Sequence, residues 1–372
     1  MSRFRAALLR ELALIRASRA LLTAITVAPA LSLLMIAAML SRGSLGDLPI
    51  AIVDESHSPA SRTLANDMVA QGGLAIAEAP ANEAEADLLL RSGKVWAYAV
   101  IPATFGDPPP TPEPVRVSVN ATYLSVGSTV EREMRRAVLG AFAGQVQAAA
   151  AQRGIALDRE NLPGIQVNLL FNPQSSLEFY LEALIQPAIL HLVAACVGAF
   201  VVASEFRGGS LARWAAETGG GASAWAGKYL PYLAALGWWG AMWMIWLVGI
   251  RGWRMEGSLA FAMTGQLALL AASLALSGAI AALTRQSGVA FSASALYAGS
   301  ALAYSGGSLP IEGSAAPVVW WSQALPFTHY LRLQMDQFLG SPIAVDLPGL
   351  ALLLVYAAAG FGLCLVATRA RR

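Results

Sequence analysis

The chain has 372 residues, of which 56% are hydrophobic and only 13% are charged, and its mean hydropathy is +0.55. Soluble domains carry about a quarter charged residues, so this composition excludes an ordinary soluble protein and predicts an α-helical polytopic membrane protein. The net charge of +2 is too small to indicate a nucleic-acid partner. Both cysteines, Cys196 and Cys364, lie in apolar runs, which excludes a disulfide framework and a thiolate metal site.

Residues 1–19 carry apolar side chains at helical spacing, with arginines around them. This pattern is typical of a helix that lies in the membrane interface beside anionic headgroups. The alternative is an ordinary charged flank of the first membrane span. We predict a cytoplasmic interfacial helix whose apolar face is formed by Phe4, Leu8, Leu12 and Ile15.

Uncharged intervals indicate where the chain crosses the membrane. A helix needs roughly 20 apolar residues to cross a ~30 Å hydrocarbon core, and six intervals between charged residues are long enough. We expect no carboxylate, lysine or arginine inside a span, which removes the usual marks of an ion-coupled transporter. The predicted transmembrane helices are residues 20–41, 183–204, 229–250, 259–283, 287–305 and 347–368.

The distribution of Lys and Arg predicts the orientation of the chain. With the N-terminus in the cytoplasm, twelve of these residues lie on the inner side, and three lie in short outer loops: Arg251, Arg254 and Arg332. We therefore predict a bacterial inner-membrane protein with both termini in the cytoplasm. Residues 43–175 are then periplasmic, and residues 205–228 form a cytoplasmic segment.

The predicted periplasmic segment mixes strand and helix signals. Ser58, followed by proline, and Asn82 with Glu85 three residues later indicate helix starts, and residues 123–153 favour one long helix. Strands that alternate with helices predict a small α/β domain inserted between the first two spans. The apolar runs that favour strands are 49–53, 95–101 and 115–119.

The outer loop at residues 310–345 is rich in aromatic residues and prolines. Residues 313–331 carry no formal charge, but they are too interrupted to form a seventh span. Aromatic residues at this density suit the membrane interface, and a re-entrant helix is feasible where protein covers its backbone. The alternative is an amphipathic loop packed on the outer domain. We favour a re-entrant helix that contains Trp320, Trp321, Pro326 and Phe327.

Polar residues inside the spans are few. Gln186 and His191 in the second span are the candidates for a translocation path, although most such residues only form hydrogen bonds between helices. The three histidines lie on different segments, so we predict no metal site. The glycine-rich run at 221–229 has one residue too many between its glycines and a tyrosine after the lysine, so it is not a phosphate-binding loop. The chain should therefore bind no nucleotide of its own.

Several short motifs follow one another over most of the chain: IVDESHSP at 52–59, GKVWAYAVIP at 93–102, LFNP at 170–173, EFRGGSL at 205–211, GKYLPY at 227–232 and LPFTHY at 325–330. In sequence and in order they resemble the permease subunits of ABC-2-type exporters, in the branch with a large outer domain after the first helix. Two departures concern the cytoplasmic segment, where Ala212 and Arg213 replace a usual acidic position, and Glu217-Thr218 and three glycines replace a Thr-Pro step.

The resemblance implies a non-catalytic membrane subunit that binds no cofactor. ATP and Mg would be bound by a partner ATPase subunit, and a second permease chain, identical or different, would complete the translocation pathway. A periplasmic membrane-fusion protein is a further candidate partner. The substrate class implied is amphipathic: a lipid, a drug or a glycan. The residues that match the ATPase coupling segment are Glu205, Gly209, Ser210 and Leu211.

Two other functions are alternatives to the exporter. One is a membrane-anchored sensor or envelope-assembly protein whose periplasmic domain binds a ligand or partner, but such a protein needs an inner output domain, and the sequence contains none. The other is an intramembrane enzyme, which lacks a catalytic constellation here. An ATPase encoded beside the chain would distinguish the exporter from the sensor.

Overall fold

A computed structural model describes residues 2–40, 47–70, 73–106, 113–120, 122, 124–152, 176–206, 210–311 and 313–369. The chain divides into two compact units. The first unit combines Met1–Ser41 with Glu178–Arg372, and the second unit is Arg42–Leu177. The first unit is helical, and the second contains a small β-sheet.

Helices of the first unit follow one another along the chain with short connections. Helix α2 contains a π-helical turn at Thr23–Val27, α6 continues into a 3₁₀ turn at Ser204–Phe206, and α8 continues into a π-helical turn at Trp246–Ile250. Their bounds are α1 Arg3–Ala17, α2 Arg19–Leu40, α6 Leu177–Ala203, α7 Ser210–Thr218, α8 Ala222–Ile245, α9 Leu259–Thr284, α10 Ser287–Tyr304, α11 Ala316–Ala324, α12 Pro326–Phe338 and α13 Ile343–Arg369.

Among the described residues, five helices are long and apolar enough to cross a membrane, judged by length and composition. The fifth predicted span, residues 287–305, corresponds to α10, which is helical but does not belong to these five. Its 18 residues include four serines and two tyrosines, and these polar groups lower its hydropathy. The five candidate spans are Arg19–Leu40, Glu178–Phe206, Ala222–Ile250, Leu259–Thr284 and Ile343–Arg369.

The helices extend beyond the uncharged intervals that predicted them. The second candidate span begins at Glu178 and includes Glu182 and Glu205, and the third includes Lys228. These are the bounds of helices, so the absence of carboxylates, lysines and arginines from the parts of the spans that cross the membrane stays a prediction. An uncharged interval marks only the most apolar part of a helix, and Glu205 and Lys228 are buried because they pair with opposite charges.

Glycines allow the helices of the first unit to pack closely. A Cβ atom at Gly198 of α6 would lie 2.4 Å from the carbonyl oxygen of Leu274 on α9, and one at Gly360 of α13 would lie 2.7 Å from the carbonyl carbon of Ala275. Small residues at helix contacts let backbones approach within the membrane, where packing drives association. Helix α9 is therefore the central helix of this unit, with α6 and α13 packed against it.

Replacing Gly360 with alanine should force α13 away from α9, because the added methyl group meets backbone atoms that cannot move independently. Overpacking of this kind costs about 1–3 kcal/mol. Gly362→Ala is the matched control, since a Cβ atom there meets nothing within 4 Å. We expect a lower thermal unfolding midpoint in detergent for Gly360→Ala alone. Equal midpoints for both variants would contradict this packing.

The described residues of the second unit form a four-stranded sheet in the order β2-β1-β3-β4. Strand β1 pairs parallel with β2 and β3, and β3 pairs antiparallel with β4. The three strands predicted from apolar runs are confirmed, and β2 is additional. It was missed because it is short and mostly exposed, with only Leu74 buried. The strand bounds are β1 Leu48–Asp54, β2 Leu74–Glu78, β3 Ala97–Ile101 and β4 Arg116–Val119.

Helices cover both faces of this sheet. Helices α3 (Pro59–Val69) and α5 (Leu124–Gln152) pack on one face, and α4 (Glu83–Arg91) packs on the other. Both predicted helix starts are confirmed. The Ser58 Oγ accepts a hydrogen bond from the Ser61 amide at 3.0 Å, and the Asn82 Oδ1 accepts one from the Glu85 amide at 2.9 Å. The long helix predicted at residues 123–153 is confirmed by α5.

Candidate functional site

A buried charge cluster of four residues joins three segments of the first unit. It consists of Arg10 and Glu11 on α1, Glu205 after α6, and Lys228 on α8. The Lys228 ammonium donates to Oε1 of Glu11 and to Oε1 of Glu205, the latter at 2.7 Å. The Arg10 guanidinium also donates to Oε1 of Glu205 at 2.7 Å. Two cations thus balance two carboxylates, which is the condition for keeping charges buried.

Neighbouring polar groups complete the charge cluster. The Tyr232 hydroxyl donates to Oε2 of Glu11 at 2.9 Å, and the Ser210 hydroxyl donates to Oε2 of Glu205 at 2.6 Å. The half-exposed Glu217 lies 3.2 Å from Arg10 Nε. Burial opposes the charge of Arg10, but its hydrogen bond to Glu205 and the nearby carboxylates raise the pKa of Arg10 above its ordinary value. The guanidinium therefore stays charged.

Helix α7 is attached to the bundle through Trp214. This side chain is fully buried, its ring lies 4.6 Å from that of Trp225 on α8, and Lys228 Nζ lies 5.8 Å from its centroid. Leu211 is partly buried and packs on the same core. The opposite face of α7 is exposed and carries Ala212, Arg213 and Ala216. This helix therefore presents a small, free surface while its other face is fixed to the bundle.

The four residues predicted to couple to an ATPase have different environments. Glu205 is 2% exposed and belongs to the charge cluster. Ser210 bonds to Glu205, and Leu211 packs against the core. None of these three side chains forms the exposed face of α7. Gly209 lies outside the described residues.

Helix α1 lies directly on the start of α8. A Cβ atom at Gly227 would lie 2.5 Å from the carbonyl oxygen of Phe4, so only glycine permits this approach. The buried residues of α1 are Ala7, Glu11 and Ile15, and Phe4 and Leu8 are half-buried. The helix therefore packs on the bundle through a stripe that includes the charged Glu11, rather than through apolar residues alone.

His191 lies among aromatic rings near the middle of α6. It is fully buried, its Nδ1 is 2.6 Å from the Ser273 hydroxyl on α9, and its ring contacts those of Tyr297 and Phe327, with centroids 5.4 and 5.6 Å away. One turn before it, the Gln186 Oε1 accepts a hydrogen bond from Gln266 at 3.3 Å. Both residues thus face α9. Among the described residues, no group of three or more His, Cys, Asp or Glu could hold a metal ion.

The break between α11 and α12 lies deep among the other helices. Phe327, at the start of α12, stacks on His191, and the Tyr356 hydroxyl, midway along α13, donates to the carbonyl oxygen of Gln323 at 3.3 Å. The far end of α12 lies beside the α8–α9 connection, where the Gly257 amide donates to the carbonyl oxygen of Gln337 at 2.9 Å. Helix α12 therefore runs from the middle of the bundle to the end opposite the charge cluster.

The aromatic residues predicted to share one re-entrant helix lie on two helices. Trp320 and Trp321 are on α11 and are 73% and 40% exposed. Pro326 and Phe327 begin α12 and are buried. Leu325 separates the two helices, because Pro326 suits a first helical position and cannot donate a hydrogen bond back to α11.

Sequence reasoning did not identify the charge cluster, although two signals were present. Glu11 is the sole acidic residue among the first forty, and Lys228 is one of just two lysines in the chain. A lone carboxylate on a basic helix and a lysine at the edge of a span each indicate an ion pair. The partners could not be matched from the sequence, because Glu11, Glu205 and Lys228 are far apart along the chain.

The chain matches a known protein family. The family model described as "ABC-2 family transporter protein" matches residues 19–366, which is most of the chain. No curated protein and no solved structure gave a significant match. The apolar helices and this match indicate a multi-pass membrane protein of a transport system that works with an ATPase subunit. The chain belongs to the ABC-2 family of transporter proteins.

Proposed function

We propose that the chain is the permease subunit of an ABC exporter. With a second permease chain it forms a translocation pathway driven by a separate ATPase, in a bacterial inner membrane, with both termini in the cytoplasm. Family membership supports the transport role. The observation that carries the proposal is the charge cluster, which links the surface helix α7 and the N-terminal helix α1 to two candidate membrane spans.

A displacement of α7 would be transmitted to the candidate membrane spans through a few direct side-chain contacts. The ATPase contacts the exposed face of α7 around Arg213. Trp214 and Ser210 transmit the displacement to Trp225 and Glu205. Since Glu205 accepts from both Arg10 and Lys228, α1 and the ends of α6 and α8 move together with α7. Glu205 thus acts as a connection within the permease, not as a direct contact with the ATPase.

The opposite end of the bundle would form the outer gate. Helices α11 and α12 form a re-entrant pair whose turn at Leu325 reaches the depth of His191, and protein covers this turn as a membrane requires. Helix α10 is the remaining span, and the second unit is the periplasmic domain. His191 and Gln186 lie next to the pathway for an amphipathic substrate, and a periplasmic membrane-fusion protein could receive that substrate.

Reversing the charge of Arg213 tests whether the ATPase binds the exposed face of α7. Arg213→Glu should lower co-purification of the ATPase about tenfold, because one unfavourable contact of ~1.4 kcal/mol has that effect. The folded chain should reach normal membrane abundance, since Arg213 is exposed. Arg254→Glu is the control, as Arg254 is also exposed but lies at the opposite end of the bundle. If Arg213→Glu recovers as much ATPase as the wild type, the ATPase does not bind this face of α7.

A further inference from the structure

An apolar cleft lies between α1, α8, α9 and α13, with a volume of about 480 Å³. Volumes of this size are typical of small-molecule sites. Alanines produce the space, since five of the eleven lining residues are alanine: Ala226, Ala271, Ala275, Ala357 and Ala358. Phe4 of α1 and Phe361 of α13 form two of its walls.

The apolar lining of the cleft favours a hydrocarbon ligand. Of the side chains that line it, only that of Tyr229 carries a polar atom, and this hydroxyl lies 3.8 Å from the Cys364 sulfur, to which it donates. A polar ligand would lose hydrogen bonds to water and regain none here, whereas an alkyl chain gains about 0.8 kcal/mol for each methylene group buried. The cleft therefore fits an apolar chain.

The position of the cleft identifies the source of that chain. It opens at Ala226, Leu230 and Ala358, which are exposed on the surface of a bundle that lies in a membrane. Along α8 it extends from Ala226 to Leu233, about 10 Å at 1.5 Å per residue. This matches most of one leaflet, roughly 15 Å of hydrocarbon. The cleft starts beside Lys228, at the end of the bundle that carries the charge cluster, so it faces one leaflet only.

A basic residue follows the α1 residue that lines the cleft. Phe4 lines the cleft, and Arg5, the next residue of α1, has an exposed side chain that forms no ion pair with any described residue. Arginine binds phosphate through charge-assisted hydrogen bonds, and basic residues beside a membrane attract anionic lipids. A lipid with its acyl chain in the cleft would bring its phosphate to the level of α1.

We propose that this cleft binds one acyl chain of an anionic phospholipid, whose phosphate pairs with Arg5. The bound chain fills the space between α1, α8 and α13 and so holds α1 against the bundle. The proposal depends on the chain being a membrane protein and not on the direction of transport. It assigns the lipid a resident role beside the coupling helices, distinct from that of a transported substrate.

Photo-cross-linking tests this site. The purified full chain is placed in phosphatidylcholine vesicles that contain phosphatidylglycerol with a photoactivatable acyl chain, and adducts are mapped by mass spectrometry. We expect adducts within residues 226–233 and 357–361. Ala358→Trp should lower this labelling about tenfold or more, because losing room for two methylene groups has that effect. Ala359→Trp is the control, since Ala359 is an exposed neighbour that does not line the cleft.

A second pair of variants tests the headgroup. Arg5→Gln should lower labelling by phosphatidylglycerol several-fold, and Arg16→Gln, an exposed change on the same helix, should not. Photoactivatable phosphatidylcholine should label wild type and Arg5→Gln equally and weakly. Labelling that is unchanged by Ala358→Trp, or equal labelling by the two lipids, would overturn the proposal. Neither outcome would affect the proposed docking of the ATPase on α7.

Discussion

Lys228→Met should lower the abundance of folded protein in the membrane several-fold. The side chain of Lys228 is 1% exposed and donates to both Glu11 and Glu205, so its removal leaves one carboxylate more than the cations can balance. Removing one partner of a buried ion pair costs about 3–5 kcal/mol, and 1–2 kcal/mol already changes abundance in cells. Abundance and thermal unfolding in detergent would both be measured.

Two further variants show whether stability is lost because a charge is left unpaired or because the lysine side chain is removed. Lys94→Met changes the other lysine, which is exposed, and should have no effect. Glu11→Gln combined with Lys228→Met removes one charge of each sign and should recover much of the lost stability, since Glu205 keeps Arg10. If the double variant is as unstable as Lys228→Met, the charge cluster is not what holds these helices together.

Trp214→Ala should detach α7 from the bundle and abolish ATPase recovery. Truncating a buried tryptophan costs about 3–5 kcal/mol, and Trp214 is the larger of the two buried side chains of this nine-residue helix. Hydrogen exchange should increase within Ser210–Thr218, while exchange in α9, which forms the centre of the bundle, should remain slow. This pattern would show that α7 is an element whose position can change separately from the spans.

Trp320→Ala is the matched control for this experiment. Trp320 is 73% exposed on α11, so its truncation should leave hydrogen exchange in α7 and ATPase recovery unchanged. Normal ATPase recovery with Trp214→Ala would mean that α1 alone receives the ATPase, and the path through α7 would be wrong.

Local signals explain which parts of the fold could be predicted from the sequence. The caps at Ser58 and Asn82 and the apolar run of β3 are contained within a few residues, and the structure confirms them. Strand β2 has only one buried residue, so its pattern was too weak to detect. Charged helix ends were missed because an uncharged interval does not reveal whether the flanking charge is buried.

The candidate site depends on contacts that no local pattern contains. His191 stands out as a polar residue in an apolar run, but its stacking on Phe327 joins residues more than a hundred positions apart. The same holds for Glu11 and Lys228. Glu205 was identified through its motif, yet its orientation toward Arg10 rather than toward a partner protein required the packing of α1.

A photo-cross-linking amino acid at Ala216 tests the central claim most directly. Ala216 is exposed on α7, and Ala84, exposed on α4 of the second unit, is the control. After irradiation of intact cells, we expect the chain labelled at Ala216 to form a covalent adduct with an ATPase subunit, and the chain labelled at Ala84 to form none. An ATPase adduct from Ala84, or none from Ala216 in a chain that is folded and present in the membrane, would contradict the account.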